Sequence, residues 1–433
     1  MSEENNKTLK VYDKFAKTYL KQSAEHSAKD PEKAKKKFEW VKNFCKQGFE
    51  TLPEKARILE IGAANGENSK MLEEFGFDVT ASDVADDFLT AIKKQGLKTI
   101  KFNLLTDSFS QKYDGVFCWR VFVHFTKSDL ELALNKIYRA LNPNGRLIFN
   151  VINIESKENI NKGWYDFPGE YHMGAERFFQ HYDRSELIEI VEKAGFKIIT
   201  IEKTGGKENN KWFCLVLEKP DKVNTKIKEY VKENIFPDYD PHAGHGLPHI
   251  NYVIRRSLNF AEQAPEVNID MVYTIAAYHD IGRKVDNEHH EIESAKIFLN
   301  DDFMKDIFND NERKLIAEAI EDHRASSKHE PRSIYGKIVS SADRNNSVEQ
   351  ILDRIYDYTK SLHPDFTEDE ILADACLHLR KKYGKNGYAS SKMFFHDPDY
   401  EQFMQDVEDL TLDPAKYAQM QQGFNRGKTH ENE

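Results

Sequence analysis

Arg57-Ile58-Leu59-Glu60-Ile61-Gly62-Ala63-Ala64-Asn65-Gly66 decides the fold of the first half of this chain. A short apolar run enters a loop of small residues, and a helical stretch follows from about Asn68 to Glu74. Outward from it, Phe77 to Ser82 reads as a second strand ending at Asp83, and a helix is expected near Asp86 to Lys94. Thr99 to Phe102 and Tyr113 to Trp119 read as the third and fourth strands. A helix from Asp129 to Leu141 leads to a fifth strand, Gly145 to Val151. Strands that are continuously apolar and alternate with helices predict a mostly parallel sheet covered on both faces. Lys197 to Glu202 and Trp212 to Leu217 read as an antiparallel hairpin around Gly205-Gly206.

Ligands of such sheets bind at the carboxyl ends of the strands. Gly62 and Gly66 let a ligand approach the backbone, and the next helix offers free N–H groups. Asp83 is placed to accept hydrogen bonds from two ribose hydroxyls. These residues, the turn Leu141-Asn142-Pro143-Asn144-Gly145 and Ala194-Gly195-Phe196 before the hairpin resemble the class I S-adenosylmethionine-dependent methyltransferases over about residues 10 to 218. Tyr12-Asp13-Lys14-Phe15-Ala16-Lys17-Thr18-Tyr19 looks like the helix that closes over the cofactor in many members. The resemblance implies a Rossmann-like fold that holds S-adenosylmethionine through Tyr19, Glu60, Gly62, Ala64, Gly66, Asp83 and Trp119. Ala64 stands where the family's middle glycine is usual, and Arg146 replaces the second glycine of the later turn. The family has no universal catalytic residue, because methyl transfer is often governed by proximity alone.

On the acceptor side, Trp119, Arg120 and His124 follow the fourth strand, over the expected transfer site, and His124 suits equally a histidine that caps or packs in the strand–helix loop. Tyr165, His172 and His181 lie in the long insert before the last helix, as acceptor-side or merely structural residues. Trp164, Tyr165, Phe167 and Tyr171 suit either an aromatic lid or the apolar underside of a loop. The basic stretch Lys33 to Lys37 reads as a solvated helix face.

The second half has helical periodicity throughout, as in Ile250, Val253, Ile254, Leu258 and Ala261, so an all-α domain is expected. Its apolar run Met271-Val272-Tyr273-Thr274-Ile275-Ala276-Ala277-Tyr278 ends in His279-Asp280. A buried His-Asp pair is costly unless something satisfies it, and a metal would. Imidazole with carboxylate binds mid-row divalent cations and leaves room for water. His249, His279-Asp280, His290, His323 and Asp343, in that order, resemble the HD-domain metal-dependent phosphohydrolases. The resemblance implies that His249, His279, Asp280 and Asp343 hold one cation and that His290 and His323 help hold a second. The metal would be one or two of Mn, Fe, Mg, Co, Ni or Zn, and Asp280, His279 and His323 would carry the catalysis. Two cations about 3.5–4 Å apart can clamp a phosphate and neutralise the leaving oxygen. His289 is an alternative to His290, and His242 and His245 read as linker histidines. Arg283, Lys284 and Arg344 suit either phosphate contacts or surface salt bridges. The same ligand set also serves di-iron oxygenases.

The 433 residues call for two or more domains, here expected as 1–220 and 221–433. Residues 1–220 carry 35 Lys+Arg and 33 Asp+Glu, and the remainder 27 and 40. The acidic second half is a poor polyanion binder but is compatible with cations and a small phosphate substrate. Four scattered cysteines (Cys45, Cys118, Cys214, Cys376) argue against a disulfide framework or structural zinc. With no apolar span and a polar start, the expected location is cytoplasmic, with no membrane partner and nucleic acid not indicated. The reading is a bifunctional enzyme: methyl transfer to a small-molecule or nucleotide-like acceptor, with hydrolysis of a phosphate ester, typically of a nucleotide. A homo-oligomer is left open. The alternatives are a methyltransferase with a nucleotide-sensing HD half, an HD-type oxygenase, and a binding protein built from two retired folds.

Overall fold

The strand that opens the glycine loop, β1 (Arg57–Ile61), is buried along nearly its whole length and lies in the interior of a sheet. The computed structural model describes residues 1–155, 163–166, 173–205, 211–239, 246–324, 327, 329–344, 348–384, 387 and 393–412. Phe167, Tyr171, His172, Gly206, His242 and His245 lie outside them. The chain divides into two units, Met1–Asp221 and Lys222–Glu433.

In the first unit, α1 (Glu3–Lys29) and α2 (Pro31–Gly48) precede β1, and α3 (Glu67–Glu74), β2 (Asp78–Asp83), α4 (Asp86–Lys93), β3 (Lys98–Lys101) and β4 (Tyr113–Cys118) follow. Next come α5 (Lys127–Ala140), β5 (Leu141–Asn153), β6 (Gly163–Tyr165), β7 (Arg177–Phe179) and β8 (His181–Tyr182). The unit closes with α6 (Arg184–Lys193), β9 (Lys197–Thr204) and β10 (Trp212–Glu218). The sheet runs β3-β2-β1-β4-β5-β10-β9, with β8 also beside β5, while β6 and β7 pair separately. β1 to β5 pair in parallel, and β10 is antiparallel to both β5 and β9.

Neighbouring side chains on a strand face opposite ways, and the core follows that rule. Leu59, Val116, Phe149 and Leu215 pack under α5 and α6, whereas Ile58, Phe117, Ile148 and Val216 pack under α2 and α3. The sheet is therefore covered on both faces, and ligands have access at its strand ends.

The fifth strand starts at Leu141, four residues before the expected Gly145. Leu141 pairs with Tyr113, and the register then shifts so that Gly115 pairs with Arg146. Asn144, at φ +62°, and the Asn142 amide, which donates to Asp114 Oδ1 at 2.6 Å, hold the extra residues as an irregularity within the strand. The turn motif is thus spliced into the sheet edge-on, where sequence pattern alone reads it as a loop.

The second unit is helical: α7 (Thr225–Asn234), α8 (Leu247–Ala261), α9 (Ile269–Tyr278), α10 (His290–Asn300), α11 (Asp302–Ile307), α12 (Asp310–Glu321), α13 (Ile334–Ala342), α14 (Val348–Leu362), α15 (Glu368–Tyr383) and α16 (Pro398–Leu412). Residues 271–278 of α9 are all buried, which explains why this segment is apolar on every side. α8, α10, α12 and α13 surround it in one core, and α14 to α16 form a smaller cluster around Phe403 and Leu379.

A short 3₁₀ turn, Ile281–Lys284, joins the end of α9 to the segment before α10. The Gly282 N–H donates to Ser294 Oγ at 2.8 Å. A Cβ at Gly282 would lie 2.3 Å from the His290 carbonyl oxygen and 2.5 Å from the Ser294 nitrogen, both backbone atoms that cannot rotate away. Gly282→Ala is therefore expected to push α10 off the turn and cost the second unit about 1–3 kcal/mol. Chemical denaturation against wild type measures it; a loss within about 0.5 kcal/mol would contradict this packing.

Candidate active sites

In the first unit the chemistry-bearing loop depends on three left-handed residues: Gly62 (φ +74°), Ala64 (φ +46°) and Gly66 (φ +76°). Gly62 is required twice over, since a Cβ there would meet Val121 Cγ2 at 2.4 Å. Ala64 carries the cost of a side chain in a conformation that favours glycine. Its N–H donates to Asp83 Oδ2 at 3.0 Å, and Asp83 Oδ1 accepts from Val84 at 2.7 Å and Ala85 at 3.2 Å. Burial pushes the Asp83 carboxyl up, against the pull of these three N–H groups.

Glu60 lies beneath the loop. Its carboxylate accepts from Asn68 Nδ2 at 3.1 Å and from Ser69 Oγ, so it anchors the start of α3. Burial raises its pKa to about 7. Tyr19 packs edge-on to Phe88 at 5.6 Å, in an apolar cluster with Ala16, Tyr12, Ala85 and Ala64 that brings α1 onto the loop. Trp119 stacks on Phe117 at 5.6 Å and tilts against Trp40 and Phe44 of α2, each at 6.4 Å. Of the residues expected around the cofactor, Tyr19, Gly62, Ala64, Gly66 and Asp83 gather at the loop. Glu60 supports it from below, and Trp119 belongs to an aromatic stack.

His124 is buried and fully engaged. Its Nδ1 lies 2.7 Å from the Phe178 carbonyl and its Nε2 2.9 Å from Tyr12 Oη. Burial drives its pKa down to about 3, so the ring is neutral: Nδ1–H donates to the carbonyl and Nε2 accepts from the tyrosine. Arg177 in turn donates to Tyr12 Oη at 3.3 Å and lies over the Tyr12 ring. Tyr12 belongs to the stretch read from sequence as the helix that closes over the cofactor, but its partners were not legible there, and Arg177 sits in an insert without a motif. Asn150 was legible in principle, as a polar residue within the apolar run of β5. Its Oδ1 accepts the Arg120 N–H at 2.6 Å. Tyr165 packs with Val123, Ile152 and Phe179, and His181 pairs with Ile152.

In the second unit, His279 ends α9, Asp280 begins the 3₁₀ turn, His290 opens α10, His323 follows α12, and Asp343 follows α13. His249 is in the first turn of α8. The atoms of His249, His279 and Asp280 that could bind a metal lie within 4.8 Å of one another, and so do those of Asp280, His290 and His323. Asp280 belongs to both sets. Its Oδ2 is 3.7 Å from His249 Nε2 and His279 Nε2, while its Oδ1 is 3.1 Å from His290 Nε2 and 3.5 Å from His323 Nε2. Asp343 Oδ1 joins the first set, 3.1 Å from His249 Nε2 and 3.9 Å from His279 Nε2.

The imidazoles are aimed. Nδ1 of His279, His290 and His323 lies 2.8, 3.1 and 2.6 Å from the carbonyls of Ala276, Asn287 and Ile320. A carbonyl fixes the proton on Nδ1 and leaves Nε2 as the metal-binding lone pair. Burial lowers the His279 pKa to about 4, so this ring is neutral, as a ligand must be. For His323, burial is outweighed by the hydrogen bond and charge of Asp280, and its pKa rises. For Asp343, burial is outweighed by His249, His279 and His323, which hold the carboxyl well below its usual range. Four imidazoles and two carboxylates, with Nε2 aimed inward on His279, His290 and His323, make a donor set that fits mid-row divalent cations.

Of the three basic residues that suit either phosphate contacts or salt bridges, Arg283 reaches this centre, with Nε 2.9 Å from Asp280 Oδ1 and Nη2 3.3 Å from His290 Nε2. Lys284 pairs with Asp238, and Arg344 is buried, donating to Ser340 Oγ. His289 is exposed, whereas His290 is buried in the centre.

The sequence family described as "Methyltransferase domain" matches residues 34–201, and the one described as "HD domain" matches residues 248–345. The N-terminal half is a methyltransferase domain and the C-terminal half carries an HD domain. The protein YqeM of Bacillus subtilis (strain 168) is 30% identical over 109 residues, 23% of this chain and 44% of that protein. Malonyl-[acyl-carrier protein] O-methyltransferase of Serratia marcescens is 28% identical over 122 residues, 28% of this chain and 47% of that enzyme. The chain thus spans just under half the length of the curated relatives it matches. An S-adenosylmethionine-dependent methyltransferase structure from Methanosarcina mazei shares 16% identity at a TM-score of 0.35, covering 40% of this chain and 95% of that one. Among the described residues no helix is long and apolar enough to cross a membrane.

Two buried groups of the methyltransferase domain respond oppositely to acid. Unfolded, His124 takes up a proton near pH 6.5, but in place only near 3, so acidification favours the unfolded chain. Glu60 has the opposite sign: in place it is protonated below about 7, unfolded only below 4.5, so acidification favours the folded domain. Between pH 7.5 and 5 each linkage amounts to roughly 2 kcal/mol. Glu60→Gln should therefore make the domain lose stability over this interval, and His124→Gln should make it gain. Denaturation at several pH values checks this; two variants with equal slopes would contradict the burial assigned to these groups.

Proposed function

We propose that the chain is a bifunctional enzyme, transferring a methyl group from S-adenosylmethionine to a small-molecule or nucleotide-like acceptor and hydrolysing a phosphate ester, typically of a nucleotide, at a divalent-metal centre. The observation that carries the second activity is the shared carboxylate, with Asp280 Oδ2 facing His249 and His279 and Oδ1 facing His290 and His323.

For methyl transfer, Tyr19, Gly62, Ala64, Gly66 and Asp83 would hold the cofactor, with Glu60 supporting the loop from below and Trp119 lining the aromatic side. When bound, S-adenosylmethionine supplies an activated methyl group. The residues of this chain supply approach and enclosure. Gly62 and Gly66 keep the loop free of side chains, the Asp83 carboxylate fixes the loop backbone, and the apolar cluster under α1 keeps water from it. Holding the acceptor in line contributes most of what such a site needs.

For hydrolysis, His249, His279, Asp280 and Asp343 would hold one cation and Asp280, His290 and His323 a second. When bound, such cations supply Lewis-acid activation of water and phosphate. Within the protein, the carbonyls behind His279, His290 and His323 keep each Nε2 aimed, and the Arg283 guanidinium sits beside Asp280 where a phosphate oxygen could be received. Asp280, His279 and His323 are the residues on which the activity should depend.

Metal analysis of the full chain, wild type beside Asp280→Ala, tests the centre, with hydrolysis assays across nucleotides and phosphomonoesters in Mn, Mg, Co, Ni and Fe. The expected result is about two metals per chain, lost in the variant together with phosphate release. Metal without hydrolysis would favour an oxygenase or a sensor, and no metal would overturn this reading of the HD domain. Calorimetric binding of S-adenosylhomocysteine tests the other half.

A further inference from the structure

Arg120 is held in an unusual state. It follows β4 at the carboxyl end of the sheet, next to Val121, whose side chain sits directly over Gly62 of the cofactor loop. Its φ is +62°, a left-handed conformation that a long side chain rarely adopts. Backbone strain of this kind persists only where the surroundings impose it, and it clusters at functional sites. Here the constraint is the Asn150 side chain, which accepts the Arg120 N–H.

Arg120 lies 5.7 Å over the Trp212 ring. Among the described residues it has no carboxylate partner, and its buried Nε has no hydrogen-bond partner. A second cation lies on the neighbouring helix: Lys37 of α2 is exposed and stands one turn before Trp40, whose ring packs 6.4 Å from that of Trp119, the residue before Arg120. Burial first, then the like charges of Arg120 and Lys211, lower its pKa to about 7, with Glu67 acting the other way. Bringing cations together around an unpaired guanidinium is unfavourable unless an anion joins them.

We propose that Arg120 and Lys37 form an oxyanion subsite, so that the methyl acceptor carries a carboxylate or a phosphate and is oriented by it beside the cofactor loop. The proposal deepens the methyltransferase reading above and rests on it for the identity of the ligand as the acceptor. The planar guanidinium fork receives either group through paired N–H donors, and the Trp212 face holds the fork still. Lys37, read from sequence as part of a solvated face, adds a second charge on a flexible stem.

All four tryptophans, Trp40, Trp119, Trp164 and Trp212, lie in the methyltransferase domain, so their fluorescence reports on it alone. The full chain is titrated at constant ionic strength with inorganic phosphate and, separately, with malonate, each with and without S-adenosylhomocysteine. The expected result is a saturable change with at least one anion, weakened about tenfold in Arg120→Gln and about threefold in Lys37→Gln. Phosphate binding more tightly would make the acceptor a phosphate ester, and malonate binding more tightly would make it a carboxylate. Lys37 is on the surface, so its variant keeps the test valid should Arg120→Gln unfold. No saturable change with either anion, or a change unaltered in both variants, would overturn the subsite. Failure of S-adenosylhomocysteine to bind while the anion response persists would instead overturn the methyltransferase reading and leave a bare anion site.

Discussion

Asp280 is a buried carboxylate facing two groups of imidazoles, and the HD domain is arranged around keeping it there. A carboxylate out of water is costly unless opposite charge or hydrogen-bond donors meet it on every side. α8, α9, α10 and α12 each end or begin at this residue's surroundings, and each brings one histidine. α9 can be apolar all round because its polar task is concentrated at its last turn. Gly282 follows from the same constraint, since α10 must come close enough for His290 to reach Asp280 Oδ1.

The methyltransferase domain meets the same constraint with a different outcome. Glu60 and Asp83 are also buried, but their oxygens accept hydrogen bonds from Asn68, Ser69 and the backbone of the loop and of the β2–α4 turn. Asp83 clamps main chain, and Glu60 ties β1 to the first turn of α3 through side chains. Arg120 is the exception, a cation that has no carboxylate partner among the described residues. That contrast marks it out among the polar groups at the strand ends.

Most of the architecture was legible because it rests on local signals. Apolar strands alternating with helices specify the sheet, and the glycine loop and Asp83 specify its ligand end. The six HD residues were legible because each sits at a helix terminus with distinctive neighbours. Other features lie beyond local pattern. The irregularity in β5 depends on pairing with Tyr113, and β6 to β8 are too short to show a period. Arg177 acquires meaning only when α1 meets β7, since nothing nearby in sequence distinguishes it, and the partners of Tyr12 appear only at the same contact. The mixed placing of Glu60 and Trp119 has the same origin: motif text names a position along a strand, while burial decides which layer the side chain enters. Arg283, Lys284 and Arg344 were equivalent as text and are separated by which neighbour each finds.

The docking of α1 has a consequence for how the chain comes into being. Ser2 hydrogen-bonds to Asp129, Tyr12 to His124, and the Thr8 hydroxyl accepts the Phe178 N–H across 170 positions of sequence. At translation speeds of about 5–20 residues per second, the partners of α1 emerge roughly 6 to 34 seconds after it. α1 is therefore among the last elements of this domain to find its place, and closing so long a loop adds little entropy beyond that of a shorter one. Until then its apolar stripe, Ala16, Tyr12 and Tyr19, waits uncovered, and the glycine loop has no roof. A nascent chain with the sheet complete and α1 still adrift would be folded in its core and open at its cofactor site.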